Sequence, residues 1–320
     1  YWLHRCHHEI KFLWASHVVH HHGEEFNLST ALRQTGTDFI FKWVFYTPML
    51  FLGVPPEIFV TVAALNLIYQ FWVHTEHIDR LGILDYIFVT PSNHRIHHAQ
   101  NKEYIDANYG GVFIIWDILF GTFKDEKKEL KPVYGTSKPL KSWNPFWANF
   151  EVWTEIFKDT WRTKSWKDKL RVWISRPKWR PKDVSEKYPI QKNDLKVFKK
   201  YDPKVTLFAK IFGFGQLAFG SFYSQAFFFN ASSMGSTEIF LIGVNVTMIL
   251  VFASLLFEGK AFGYPLEVIR SVFILIAIYF GQFEFMQLTV LVHAIICGLL
   301  AGYMTLSNKP AEFSEARSES

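Results

Sequence analysis

Histidine is the residue type through which this sequence could do chemistry. The chain contains 13 histidines, and all but His293 lie within the first 98 residues. Neutral imidazole is a good ligand for zinc, copper, iron and nickel. On a helix, residues i+3 and i+4 share a face with residue i, so a His-x-x-His-His cluster offers three imidazoles to one point. Nine histidines are therefore candidate metal ligands: His4, His8, His17, His20, His21, His74, His94, His97 and His98.

Nine imidazoles exceed what one ion can bind, since a zinc site takes four ligands, or three plus water. The sequence therefore predicts two metal ions. Helical di-iron sites of the carboxylate type use Glu and Glu-x-x-His pairs, but here carboxylates are fewer than histidines. We expect Glu9, Glu25 and Glu76 to accept the second ring N–H of ligating histidines, and Asn93 to orient its neighbours.

The remaining histidines do not fit the ligand pattern. His7, His22 and His77 point off the shared face or have no partner at ligand spacing, so we expect them to be surface or supporting residues. His293 stands alone in a hydrophobic stretch, which predicts a polar group that packs between helices. The two cysteines, Cys6 and Cys297, are too few and too far apart for a disulfide framework or a cysteine zinc site.

Long uncharged runs predict that helices position these histidines in a membrane. A helix needs about 20 mostly apolar residues to cross the hydrocarbon core. Runs without Asp, Glu, Lys or Arg cover residues 211–237, 239–257 and 285–308. We therefore predict an all-α, multi-pass integral membrane protein. Its C-terminal region, residues 205–307, holds spans at residues 211–236, 239–257 and 271–306, the last as one interrupted or two short helices.

A second hydrophobic block, residues 39–73, is broken by Gly53-Val54-Pro55-Pro56-Glu57. Consecutive prolines cannot continue a helix, so the block predicts a spanning or re-entrant hairpin that returns the chain to the side it left. Residues 1–30 and 90–204 then lie on one side of the membrane. The positive-inside rule makes that side cytoplasmic, in the endoplasmic reticulum or a bacterial inner membrane.

The stretch 124–204 is basic, with 22 Lys and Arg against 11 Asp and Glu, and seven tryptophans lie within it. This composition is typical of a headgroup-level surface, although a solvated loop domain has the same charge. No nucleic-acid-binding motif accompanies the charge. The tail, residues 308–320, is expected to be disordered. Because the chain opens at Tyr1 without Met or a signal pattern, we expect upstream spans to be missing.

Residues 1–123, which we expect to form the catalytic region, carry a specific resemblance. The pattern His4-Arg5-x-x-His8, His17-x-x-His20-His21, His94-Arg95-x-His97-His98, closing on Asn108-Tyr109-Gly110-Gly111 and Ile115-Trp116-Asp117, resembles the membrane-bound fatty acid hydroxylase and sterol desaturase superfamily. The sequence segments at residues 24–34, 70–76 and 90–92 are most similar to those of its ether-lipid-cleaving branch, the alkylglycerol monooxygenases. Asn93 departs from the pattern, because many relatives have a further histidine before His94.

The resemblance implies a non-haem di-iron centre bound by the clustered histidines, with O2 as the oxidant and a lipid as the substrate; the positive-inside rule places this centre on the cytoplasmic side. For the ether-lipid branch it implies tetrahydrobiopterin as the electron donor. Hydroxylation of the alkyl carbon beside the ether oxygen would then release a fatty aldehyde and a glycerol.

Two alternatives remain open from the sequence. The first is a sterol or fatty acyl hydroxylase or desaturase of the same superfamily, which would take electrons from cytochrome b5 or a reductase. The second is a membrane metal transporter, since intramembrane histidines can line an ion path. A transport site should lie near the bilayer midplane, whereas these clusters lie outside the uncharged runs.

Overall fold

Helices make up nearly all of the regular structure of this protein. The computed structural model describes residues 1–307. In this range there is no β-strand, only isolated bridges between Phe88 and Phe113 and between Ala99 and Tyr134. The predicted all-α class is therefore confirmed. The expected disordered tail, residues 308–320, lies outside the described residues.

The chain forms two compact units. Within the described residues, the N-terminal unit comprises residues 1–141 and 147–201, and the C-terminal unit comprises residues 142–146 and 202–307. The boundary that we placed between residues 123 and 124 falls inside the N-terminal unit.

The N-terminal unit is built mainly from short helices. They are α1 (Trp2–Glu9), α2 (Lys11–Ala15), α3 (Val18–His21), α4 (Leu28–Ala31), α5 (Phe39–Phe51), α6 (Pro56–Trp72), a 3-10 turn (Gly82–Tyr86), α7 (Pro91–His97), α8 (Ile115–Leu119), α9 (Pro145–Arg162), α10 (Trp166–Ile174) and α11 (Lys182–Lys187).

An apolar core holds α2 against α9 and α10 in the N-terminal unit. Ala15, Ile156 and Val172 are fully buried in it. Three of the tryptophans that we expected at a membrane surface, Trp153, Trp173 and Trp179, pack against this core instead. Trp161 and Trp166 are 86% and 81% exposed. The spacing of tryptophans along the sequence could not separate these two environments.

The hydrophobic block at residues 39–73 forms the two helices α5 and α6. The chain turns between them at Gly53, whose φ of 77° is in the region that favours glycine. The helices meet where Tyr46 and Phe59 pack edge to face, with ring centroids 5.0 Å apart. Neither helix has a buried residue. The pair therefore leaves many of its apolar side chains exposed.

The C-terminal unit contains four long helices. They are α12 (Leu207–Asn230), α13 (Ser236–Phe257), α14 (Gly263–Tyr279) and α15 (Gln287–Ser307), with a short 3-10 turn (Ala231–Ser233) after α12. Two of them, α13 and α15, are long and apolar enough to cross a membrane. Small and apolar residues fill the centre of the bundle, among them Tyr223, Ile242, Ile274, Val290 and Ala294.

The predicted span at residues 271–306 is two helices, and the first begins earlier than expected, at Gly263. The uncharged-run criterion excluded Glu267 and Arg270. Both are buried on α14, where the guanidinium donates to the carboxylate at 2.5 and 2.9 Å. Arg270 also donates to the side-chain oxygen of Asn245 on α13 at 2.7 Å. Paired in this way, the two charges fit inside an otherwise apolar helix.

We predict that Glu267→Leu destabilises the C-terminal unit by about 3–5 kcal/mol, because it leaves the buried guanidinium of Arg270 without its counter-charge. The double variant Glu267→Leu/Arg270→Met should recover most of that loss. Thermal unfolding in detergent measures both. Equal losses in the single and double variants would contradict this account.

Candidate metal centre

The structure brings all nine predicted ligand histidines together in the N-terminal unit, as two adjacent groups. In each group the candidate ligand nitrogens lie within 4.8 Å of one another. The first histidine group is His4, His8, His17, His21 and His97, and the second histidine group is His20, His74, His94 and His98.

Local helix geometry places most of these rings. His4 and His8 lie one turn apart on α1. Helix α7 carries His94 and His97 and ends at His98. Its start is fixed by Pro91 at the first turn and by a capping box, in which the Asn93 side-chain oxygen accepts the backbone N–H of Thr90 at 3.4 Å and the Thr90 hydroxyl oxygen accepts the backbone N–H of Asn93. Asn93 therefore caps the helix that carries His94 and His97 and precedes His98.

Each His-x-x-His-His cluster is divided between the two groups, which corrects our expectation that each would converge on one point. His17 and His21 belong to the first group, but His20 belongs to the second. Residues i and i+4 differ by only about 40° around a helix, whereas i+3 lies about 100° from i+4. The i+3 ring therefore turns toward the neighbouring group.

Backbone carbonyls fix the orientation of several rings. The Nδ1 atoms of His4, His74 and His97 lie 2.9, 2.7 and 2.8 Å from the carbonyl oxygens of Tyr109, Gln70 and Ala107. Nδ1 of His20 is 3.3 Å from the carbonyl oxygen of Arg33. A carbonyl only accepts, so Nδ1 must donate, and in the neutral ring Nε2 is then a bare lone pair.

These bare nitrogens face one another, which is the arrangement a bound cation requires. Nε2 of His20 lies 3.2 Å from Nε2 of His74, and both rings donate through Nδ1. Two lone pairs at that distance repel unless a positive ion lies between them. In the first group, Nε2 of His8 and of His97 is buried with no hydrogen-bond partner in the described chain. The donor set therefore fits metal ions.

Burial keeps the rings in the neutral, metal-binding form. It lowers the pKa of His20 to about 3 and the pKa of His74 and His97 to about 4. The pKa values of His4 and His98 fall well below the usual range, mainly through burial and also through neighbouring histidines. A protonated imidazole would lose its hydration and approach other rings of like charge.

We predict that the metal-free protein loses stability as pH falls from about 7 to about 5. In the unfolded chain the histidines take up protons near pH 6.5. In the folded protein the lowered pKa values keep them neutral, so below about pH 6.5 the unfolded chain binds more protons and the free energy of unfolding falls. Thermal midpoints across this pH range test the prediction. A flat profile would contradict it.

The three expected carboxylate acceptors have other partners, which corrects that part of the sequence interpretation. Glu9 pairs with Arg5 at 3.0 Å, Glu25 with Lys200 at 2.6 Å, and Glu76 accepts from the hydroxyl of Tyr134 at 2.7 Å. The backbone carbonyls already described take the role that we assigned to these carboxylates.

The other histidines lie outside both groups. His7 contacts Asp38 at 3.0 Å, His22 lies 3.8 Å from Glu151, and His77 is exposed. In the C-terminal unit, the ring of His293 stacks on Phe219 with centroids 3.6 Å apart, and no hydrogen-bond partner for its nitrogens occurs within residues 1–307. His293 therefore packs against a neighbouring helix, as expected.

Sequence reasoning did not assign a role to Asp117, which organises the loop beside the first group. Its buried carboxylate accepts the backbone N–H groups of Tyr109 and Gly110, both at 2.7 Å, and the hydroxyl of Thr122 at 2.7 Å. This holds the Tyr109 carbonyl against His4. A Cβ on Gly110 would lie 2.6 Å from the carbonyl oxygen of Phe113, so only glycine fits there. The Asn-Tyr-Gly-Gly and Ile-Trp-Asp motifs are the sequence features that could have pointed to this role of Asp117.

We predict that Asp117→Asn weakens metal binding by about 10–100-fold, the usual effect of losing a group that orients a ligand. The amide cannot accept both backbone N–H groups as the carboxylate does. Chelator competition on the purified protein measures the change. The matched control is Asp125→Asn, a more exposed carboxylate that pairs with Arg80, and equal affinities for the two variants would contradict the role of Asp117.

Aromatic rings line both groups. Trp14 lies 5.0 Å from His8, Tyr109 lies 5.3 Å from His8, and Phe26 lies 5.3 Å from His98, measured between ring centroids. These rings exclude water from the imidazoles, which strengthens electrostatic interactions between the histidines and any bound cation.

The part of the chain that carries the histidine groups is similar to a known family. Residues 1–122 match the fatty acid hydroxylase family model. It is similar to the alkylglycerol monooxygenases of Xenopus tropicalis, with 41% identity over 214 residues, and of Homo sapiens, with 34% identity over 288 residues. An ornithine lipid hydroxylase of Rhizobium tropici is 35% identical over 124 residues. The resemblance stated from the motifs is therefore confirmed.

The matches differ in the share of each chain that they cover. The Xenopus match covers 67% of this chain and 47% of the relative, and the human match covers 89% and 63%. The Rhizobium match covers 38% of each. The chain thus spans about half the length of the curated relatives that it matches. No solved structure matches it.

Proposed function

We propose that this protein is a membrane-bound di-iron monooxygenase that hydroxylates the ether-linked alkyl carbon of alkylglycerols. The observation that carries the proposal is the pair of adjacent histidine groups, whose neutral rings turn bare nitrogens toward one another. The similarity to alkylglycerol monooxygenases supports the choice of substrate.

The two histidine groups would each hold one iron ion. Imidazole suits iron among the first-row metals, and five rings in one group and four in the other give each ion its own ligand set. Bound there, iron would supply the means to activate O2 for attack on an unactivated C–H bond.

The chain's own contribution is to hold and shield the ligands. The carbonyls of Tyr109, Gln70 and Ala107 keep three rings in one tautomer, and Asp117 keeps the Tyr109 carbonyl in place. Trp14 and Phe26 cover the rings with apolar surface. A site that excludes water in this way protects a reactive oxidant from side reactions.

The overall reaction balances with one O2 and two electrons. One oxygen atom enters the C–H bond beside the ether oxygen, and the other leaves as water with two protons and two electrons from the donor. The resulting hemiacetal breaks its C–O bond to give a fatty aldehyde and a glycerol. We propose tetrahydrobiopterin as the donor, on the strength of the family similarity.

The membrane placement that we propose puts the histidine groups on the cytoplasmic side, in the endoplasmic reticulum or a bacterial inner membrane. Helices α5 and α6 have no buried residues and would enter the bilayer. On α9 and α10, Phe157, Trp161, Trp166, Leu170 and Ile174 are all at least 59% exposed and follow a helical i, i+4 spacing. This apolar stripe, flanked by lysines and arginines, fits the lipid–water interface.

A second lipid substrate within the same family is the nearest competing function. The match to an ornithine lipid hydroxylase supports this second function. A sterol or fatty acyl substrate would be paired with cytochrome b5 or a reductase as electron donor, so donor dependence separates the two functions.

We predict that membranes carrying the full-length protein release fatty aldehyde from a 1-O-alkylglycerol only when tetrahydrobiopterin and O2 are present. His97→Ala and His94→Ala, one from each histidine group, should each lower the rate at least about 100-fold and reduce bound iron, because metal ligands act as a unit. His77→Ala is the matched control, since its ring is exposed and lies outside both groups.

Three outcomes decide the proposal. Pterin-dependent release that is lost in both ligand variants and kept in the control supports it. Iron at two ions per chain without aldehyde release would move the substrate to a sterol or fatty acyl lipid. Metal uptake into proteoliposomes without O2 consumption would overturn the enzyme assignment in favour of a transporter.

A further inference from the structure

A groove in the C-terminal unit, separate from the histidine groups, opens between α12 and α13. It has a volume of about 820 Å3, within the range of about 300–1,000 Å3 typical of ligand sites. Apolar side chains dominate its lining, including Ile211, Phe214 and Leu217 from α12 and Leu250 and Phe257 from α13. An interior of this kind favours a hydrocarbon chain over a polar ligand.

One wall of the groove is held by a specific anchor. The carboxylate of Glu258, which follows α13 directly and is 9% exposed, accepts the Ser142 hydroxyl at 2.6 Å and the backbone N–H of Trp143 at 2.5 Å. Lys260 pairs with the same carboxylate at 2.5 Å. These bonds hold Trp143 beside the helices, where it forms part of the groove wall.

The polar groups of the groove are concentrated near the start of α12. Asp202 and Lys210 both line it there. The Lys210 ammonium makes no hydrogen bond or ion pair with the described residues, and its side chain is exposed. From this level the groove follows two turns of α12, alongside α13, a helix long and apolar enough to cross a membrane. A cation at one end of an apolar groove matches the layout of a phospholipid.

We propose that this groove binds an anionic glycerophospholipid, with one acyl chain between α12 and α13 and the headgroup phosphate paired with Lys210. Apolar side chains take up the chain, and the Lys210 ammonium supplies the charge complement of the phosphate. The Trp143 ring also lines the groove, and with the lipid bound in this way it would lie where aromatic rings meet lipid headgroups.

A phospholipid carrying a photoreactive diazirine in its acyl chain tests the site. The full chain, purified in detergent with this probe, is illuminated and the labelled peptides are identified by mass spectrometry. We expect the label to concentrate on the stretches at residues 211–217 and 250–257. Leu217→Trp should reduce labelling there at least about fivefold, because the larger ring fills the groove.

The matched control for filling the groove is Phe229→Trp. Phe229 is an exposed residue on α12 that does not line the groove. It should leave labelling unchanged. Label spread evenly over the exposed faces of α12, α13 and α15, or label that Leu217→Trp does not reduce, would overturn the proposal.

The headgroup contact is tested separately with two probes that differ only in charge. Lys210→Gln should lower labelling by an anionic phosphatidylglycerol probe several-fold and leave a zwitterionic phosphatidylcholine probe unaffected. Lys204→Gln, an exposed lysine outside the groove lining, is the matched control. Equal effects of the two substitutions would overturn the role of Lys210.

Discussion

The contact between bare imidazole nitrogens is the constraint on which the N-terminal unit depends. Neutral rings that donate through Nδ1 present lone pairs to each other, as His20 and His74 do at 3.2 Å. Protonation of both rings would replace this repulsion by a larger one between like charges. A metal cation between the neutral rings would make the arrangement favourable. The capping box of α7, the Tyr109 carbonyl and the Asp117 carboxylate all hold the donors that such an ion would need.

The ligand types and their neighbourhood could be predicted from the sequence because they rest on local geometry. His4 and His8 share a face for any helix over α1, and the same holds for His94 and His98 on α7. The division between the groups could not be predicted, since it depends on how α1, α3 and α7 pack. The acceptors for the ring N–H groups could not be predicted either, because every residue has a backbone carbonyl and the sequence does not show which one a ring will contact.

The helices and tryptophans that we expected at the membrane could likewise be predicted only in part. Uncharged runs identified α13 and α15, but the same criterion cut α14 short, because it counts Glu267 and Arg270 as charges when they form a neutral pair. Tryptophan content predicted an interface between residues 124 and 204. The structure places Trp161 at the surface and Trp173 against the core, a difference that depends on helix orientation.

Helices α3 and α7 each carry histidines of both groups. This limits how the two ligand sets can move relative to each other. His94 and His97 serve different groups, although they lie on one turn of one helix. The offset between the two ligand sets is therefore fixed by the rise and rotation of a helical turn. Inserting one residue within either helix would displace histidines of both groups together. A shift in one ligand set is therefore coupled to a shift in the other.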